Sequence, residues 1–323
     1  MNLTWLLLLF ALFAQDPQQA PQQEVPPDEP GFRIGVAVDQ VFLSVTARSV
    51  DGGFAKGLTA ADFLILEDGV PQEVLNVVEE KVPVKVALLI DISGSTRYSQ
   101  AAIRRAALHF AQSLEPEDEV AVITFNYVPK LIADWTNDVE KIEFALETTY
   151  AKGQTVLNDA LYVTFDDLFR DVPGKKAAIL LTDGVDTGSS VSFDEAYDLA
   201  VRSEAMVYVA SKLDEYWAGA IAARVQYPIV PKELTDSYII SIRRDLNRLA
   251  DTTGGRVLEA QAFGSLTHVY DAVAEELKNQ YYVSYVSSNK AQDGRWRNIE
   301  IRTRQSGVVV RTRQGYFGPT GQR

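Results

Sequence analysis

Three short apolar runs in the middle of the chain constrain its fold more than anything else. Val84 to Ile90 (Val-Lys-Val-Ala-Leu-Leu-Ile), Glu119 to Phe125 and Lys176 to Thr182 are almost unbroken by polar residues. Runs of this kind suit strands buried on both faces of a parallel sheet. Helical segments lie around them: Tyr98 to Leu114, Asp138 to Glu147, Leu157 to Phe169, Phe193 to Ser203, Tyr238 to Asp251 and Ser265 to Asn279. Met206 to Ala210 adds a strand, Arg256 to Leu258 a short one, and Lys130 to Ala133 a short edge strand. The alternation predicts an α/β fold, a doubly wound and mostly parallel sheet with helices on both faces.

Both ends have a different texture. Gln40 to Val50 alternates apolar and polar residues, Phe63 to Glu67 and Gln72 to Val78 flank the turn Asp68-Gly69, and Gln280 to Ser287 alternates again. Trp296 to Arg304 and Val308 to Arg313 flank Gln305-Ser306-Gly307. The economical expectation is one small β module built from both ends, with the α/β domain inserted into it. The expected divisions are 32–81 (N-terminal β segment), 82–279 (α/β domain), 280–318 (C-terminal β segment) and a tail at 319–323. Ahead of them, Leu3 to Ala14 is almost wholly apolar and too short to span a membrane, so 1–14 reads as a signal peptide. Residues 15–31, rich in Pro, Gln and acids, read as a disordered linker. The chain is therefore expected to be exported, periplasmic or extracellular, with no transmembrane segment after signal removal.

Composition removes several functions. With no Cys there are no disulfides, thiolate nucleophiles or Cys-ligated metals. Two His, His109 and His268, cannot build a multi-His centre. A formal charge of −13 repels phosphate backbones, so nucleic acid is not an expected partner.

The chemistry concentrates at strand ends. The first buried run finishes in Asp91-Ile92-Ser93-Gly94-Ser95, a later one in Thr182-Asp183-Gly184, and Gly153-Gln154-Thr155 opens a helix between them. Ligands of open parallel sheets sit outside the carboxyl ends of the strands, and all three segments arrive at that edge. Asp91, Ser93, Ser95, Thr155 and Asp183 offer two carboxylates and three hydroxyls, without nitrogen or sulfur. Such a set suits Mg²⁺, Mn²⁺ or Ca²⁺ and disfavours zinc. Asp-x-Ser-x-Ser by itself also fits an ordinary helix N-cap.

With Gly153-Gln154-Thr155 and Thr182-Asp183-Gly184 downstream, residues 82–280 resemble a von Willebrand factor type A domain, and Thr253-Gly254-Gly255-Arg256 is similar to that family's turn before its last strand. The resemblance implies a metal-ion-dependent adhesion site at Asp91, Ser93, Ser95, Thr155 and Asp183. The three hydroxyls would coordinate directly, and the two carboxylates directly or through water. The flanking Gly57-Leu58-Thr59-Ala60-Ala61-Asp62-Phe63, Glu67-Asp68-Gly69, Gln280-Tyr281-Tyr282 and Arg313-Gln314-Gly315-Tyr316-Phe317 are similar to a bacterial secreted VWFA-related subfamily described from acidobacteria.

Enzyme motifs do not fit. Ser93 stands where a haloacid-dehalogenase-type phosphatase needs its second acid, no Gly-x-Ser-x-Gly elbow occurs, and Gly174-Lys175 lacks the rest of a phosphate-binding loop. The expected function is a metal-dependent protein-binding module, not an enzyme, whose divalent cation (Mg²⁺ first, Mn²⁺ or Ca²⁺ next) coordinates an exposed Asp or Glu of a protein partner. A metal-dependent phosphohydrolase and a structural or sensor subunit of a cell-envelope complex are the alternatives. The long stretch Leu213 to Thr235 follows a strand end, and its Tyr216, Trp217 and Tyr227 are candidate partner contacts; the competing reading is a short helix from Trp217 to Arg224 covering the sheet. Arg297, Arg302, Arg304, Arg311 and Arg313 read as a solvated outer face, paired with acids of the N-terminal β unit such as Glu67, Asp68 or Glu73; a surface for an anionic partner is the alternative.

Overall fold

The computed structural model describes residues 40–79, 82–224, 235–260 and 266–321. The signal and linker segments expected at 1–31 and the candidate Tyr227 lie outside the described residues.

The chain opens with four strands, β1 (Gln40–Ser49), β2 (Phe63–Glu67), β3 (Val70–Gln72) and β4 (Val74–Val78). The α/β part follows: β5 (Val84–Asp91), α1 (Gln100–Ser113), β6 (Glu119–Phe125), β7 (Pro129–Thr136), α2 (Val139–Glu147), α3 (Leu157–Val163), β8 (Lys175–Thr182), α4 (Phe193–Ser203), β9 (Met206–Ser211), α5 (Leu213–Arg224), α6 (Asp236–Thr253), β10 (Val257–Glu259) and α7 (Leu266–Lys278). The chain closes with β11 (Gln280–Val286), β12 (Trp296–Thr303), β13 (Val308–Arg311) and β14 (Gly315–Phe317).

The central sheet has the order β10-β9-β8-β5-β6-β7 and is parallel except for the edge strand β7. In register, Leu88 of β5 lies between Val122 of β6 and Ile179 of β8. Alternate residues of β5 serve two cores. Val86, Leu88 and Ile90 pack with Ile103 and Phe110 of α1 and with Tyr270, Val273 and Leu277 of α7. Ala87 and Leu89 face the opposite way, toward Leu161 of α3, Ala200 of α4 and Leu246 of α6. A strand covered on both faces needs apolar side chains at every position, hence the unbroken run. Burying a Leu or Val here stabilises by about 1.5–3 kcal/mol.

The terminal strands form two antiparallel sheets, β13-β1-β11-β4 and β14-β12-β2-β3. Each mixes strands from both chain ends: Val45 pairs with Tyr281, and Ile65 with Ile301. Leu43, Val45, Phe63, Ile65, Tyr281, Val283 and Tyr285 share a third core.

The arginine-rich stretch departs from the expected solvated face. Arg297 is 2% exposed and lies 3.6 Å from Glu67, which also accepts hydrogen bonds from Tyr285 (2.7 Å) and Tyr316 (3.0 Å). Arg311 pairs with the buried Glu276, and Arg313 with Glu204 at 2.9 Å. Period-two spacing identifies residues that share a face, but only the packing of one sheet on its neighbours decides which face is covered. Arg302, paired with Glu300, does face solvent.

Candidate functional site

β5 and β8 are adjacent parallel strands in register, with Ile90 opposite Leu181. The next residues are Asp91 at the end of β5, and Thr182 and Asp183 at the end of β8. The sheet therefore delivers both carboxylates to one edge, side by side, although they are far apart in the chain. The loop after Asp91 turns at once. The Ser93 N–H donates to Asp91 Oδ1 at 2.8 Å, and the Ser93 and Ser95 hydroxyls lie 2.9 Å apart. A second loop closes over the first: the Gly94 N–H donates to the Gly153 carbonyl (3.1 Å) and the Lys152 N–H to the Ile92 carbonyl (2.9 Å). Thr155 is fixed in that second loop through reciprocal bonds with Thr187, N–H to Oγ1 at 3.0 Å and carbonyl to N–H at 2.9 Å. It precedes α3 by two residues rather than opening it.

Two glycines make this packing possible. Gly153 has φ +82°, and the ring of Tyr127 lies where its Cβ would be, 2.2 Å away. Gly184 has φ +81°, and its Cβ would stand 2.4 Å from Ile242 of α6. A residue with a side chain meets both a left-handed backbone and a clash at either position.

The electrostatics are those of a buried acid pair. Asp91 is fully buried, and Asp183 is 9% exposed. Burial, and then the charge of Asp183, push the Asp91 carboxyl up to about 7; burial also raises Asp183, against the opposing hydrogen bonds from the Val185 N–H and Ser95. Asp91 Oδ2 is buried with no hydrogen-bond partner. An orphaned buried carboxylate oxygen is costly and needs a donor or a cation. Among the described residues no three carboxylate, imidazole or thiolate groups converge. The donor set is two carboxylates beside hydroxyls, all oxygen, and its chemistry fits a hard divalent cation.

Asp91, Ser93 and Ser95 share one hydrogen-bonded loop beside Asp183, and Thr155 stands in the second loop, two residues past Gly153. Lys212 was not anticipated. It follows β9, is buried, pairs with Glu215 at 2.6 Å, and its charge partly offsets the rise of Asp183. Its signal was its position just past an apolar run, at the same edge. Tyr216 and Trp217 fall in α5, which begins at Leu213, so the expected loop is here a helix. Both are half-buried against the second core, and the Trp217 ring lies 5.8 Å from the Arg243 guanidinium.

Residues 86–185 match the family model described as the von Willebrand factor type A domain. No curated protein sequence matches the chain. Among solved structures it is similar to proximal thread matrix protein 1 of the mussel byssus, solved with a zinc-occupied MIDAS motif (16% identity, TM-score 0.45, 61% of this chain and 48% of that one). It is also similar to the vWF domain of the type V pili tip protein Mfa5 from Porphyromonas gingivalis (11% identity, TM-score 0.45, covering 60% and 95%). A third similar structure is a von Willebrand factor type A protein from Catenulispora acidiphila (12% identity, TM-score 0.47, covering 87% and 74%). The chain spans about half the length of the byssus protein.

Proposed function

From the match of residues 86–185 to the von Willebrand factor type A domain model, we propose that the chain is a metal-dependent protein-binding module rather than an enzyme. Asp91, Ser93, Ser95, Thr155 and Asp183 would hold the cation, Mg²⁺ first and Mn²⁺ or Ca²⁺ next. When bound, the cation supplies a positive coordination position open to a carboxylate of a protein partner. The chain's own residues do the rest. The hydroxyls add no charge, so a cation held by two carboxylates keeps its appetite for a third. The bonds from Gly94 to Gly153 and from Lys152 to Ile92 hold the two loops in place before any ligand arrives.

One observation carries this reading: a buried, unpartnered Asp91 oxygen beside a second buried carboxylate. An acid pair kept only for stability would be matched by donors. The apolar stretch from Leu3 to Ala14 supports action outside the cytoplasm, and among the described residues no helix is long and apolar enough to cross a membrane. The test is capture from an envelope extract on immobilised full-length protein, with Mg²⁺ and with EDTA, beside Asp91→Ala. The proposal expects a protein retained only by the wild type with Mg²⁺, and released by free acetate or EDTA. Identical retention in all arms overturns it.

A further inference from the structure

The sheet edge that carries Asp91 and Asp183 has an apolar patch on its β6 side. Asp91 pairs in register with Phe125, the last residue of β6, so the turn between β6 and β7 stands beside the acid pair. That turn exposes Tyr127 (56%) and Val128 (65%). The Tyr127 ring rests on Gly153, where a side chain would otherwise stand, and the Gly153 carbonyl accepts the N–H of Gly94, between Ser93 and Ser95. The ring is therefore one backbone contact away from the loop of the candidate hydroxyl donors. Tyr150, 74% exposed, lies two residues before Lys152 on the same closing loop. Aromatic rings are the side chains that most often become binding hot spots when a partner covers them.

The charge around this patch is one-sided. The chain has 44 acidic residues and a formal charge of −13, yet the stretches 94–99, 126–128 and 148–155 contain no acid. Arg97 and Lys152, in the first and third of them, are exposed, with no carboxylate of the described residues at ion-pair distance. Past β8 and β9 the acids are engaged within the chain. Asp186 accepts the N–H groups of Asn158 and Ser189, both at 3.0 Å, Asp214 pairs with Arg243, and Glu215 pairs with Lys212 at 2.6 Å. The β6 side therefore offers positive charge that the chain itself leaves unmatched.

We infer that the partner presents an extended acidic peptide with a large apolar side chain two residues from its metal-bound Asp or Glu. The apolar side chain packs on Tyr127 and Val128, and a further acid of the peptide meets Arg97 or Lys152. This rests on the metal reading proposed above and adds the partner's chemistry to it. Neighbouring strands lie about 4.8 Å apart and two residues of strand rise roughly 7 Å, so the Tyr127 backbone stands no more than roughly 8 Å from that of Asp91. In an extended peptide, residues two apart share a face at roughly that separation, whereas the residue between them points away. A lone carboxylate meets the cation and nothing else. A second acid also gains from the unmatched Arg97 and Lys152, which is charge complementarity that selects among acidic partners.

The test is fluorescence anisotropy of a labelled peptide, Gly-Asp-Gly-Phe-Glu-Gly with blocked ends, on the full chain with Mn²⁺, beside calorimetry of Mn²⁺ alone. Saturable, Mn²⁺-dependent peptide binding is expected. Replacing Phe by Ala, or moving Phe next to Asp, should weaken it roughly tenfold. Replacing Glu by Lys should weaken it more at low salt than at high salt. Tyr127→Ala should erase the preference for Phe over Ala and leave Mn²⁺ affinity unchanged, the mark of a direct contact in a double-mutant cycle. A wild type that binds no Mn²⁺ overturns the metal reading and this inference together. Intact Mn²⁺ binding with no peptide binding up to about 10 mM, equal binding of the Phe and Ala peptides, or a Phe preference that survives in Tyr127→Ala overturns this inference alone.

Discussion

Asp91 and Asp183 set the energetics of the site at the scale of single residues. The Asp91 carboxyl titrates near 7 in the fold, against an ordinary value of 3.8. Between those values the native state holds a proton that the unfolded chain has released, so stability falls as pH rises from about 4 to 7. In EDTA, wild-type protein should therefore melt at a lower temperature at pH 7.5 than at pH 5, and Asp91→Asn should flatten that decline. A divalent cation binds the ionised pair and adds stability by mass action, so Mg²⁺ should raise Tm more at pH 7.5 than at pH 5. Melting curves in EDTA that climb across this range for the wild type, as for Asp91→Asn, would contradict the assignment of the shift to Asp91. The five candidate donors could be named from the sequence because each stands beside a buried run or a turn glycine. Lys212 was not: its role depends on β9 lying next to β8, a pairing that no local pattern states.

At the scale of elements, the loops work because two turns accept only glycine. Gly184→Ala forces a Cβ toward Ile242 on a helix that cannot easily retreat, at φ +81°. A loss of about 2 kcal/mol in urea unfolding, with weaker Mn²⁺ binding, is expected. Gly153→Ala meets the same left-handed backbone, but its clash is with the ring of Tyr127, which is 56% exposed and can turn away, so its cost should be smaller. Equal midpoints for Gly184→Ala and wild type would show the turn to be more tolerant than the packing implies. Helix α5 belongs at this scale too. Apolar side chains of Tyr216 and Trp217 lie against the second core, so replacing both with Ala should lower stability by about 2 kcal/mol. A double variant as stable as the wild type would free these residues for a surface role. The sequence left helix and loop open here because the stretch from Leu213 to Thr235 has no clean period.

At the scale of the whole molecule, the α/β order was readable from strand runs buried on both faces, and so was the idea that the two ends meet. Pairing of Arg297 with an acid of the N-terminal strands such as Glu67 was readable too, but the burial of that pair was not, because only the packing of one sheet on the other decides which strand face is covered. Removing 296–323 takes away β12, β13 and β14 together. It strips β2 and β1 of neighbours and leaves Glu67 buried without Arg297 and Tyr316. Open strand edges pair with other chains, and an unpaired buried charge costs several kcal/mol. Size-exclusion chromatography should show aggregation, with a large drop in Tm; a monomer with unchanged unfolding would mean that the two ends do not depend on each other.

The central claim rests on one cation at one sheet edge, and calorimetric titration of Mn²⁺ into the full chain tests it most directly. The account predicts saturable binding to one site in the wild type, and loss of that binding in Asp91→Ala and Asp183→Ala while both variants keep the wild-type circular dichroism. Unchanged Mn²⁺ binding in either folded variant would contradict it.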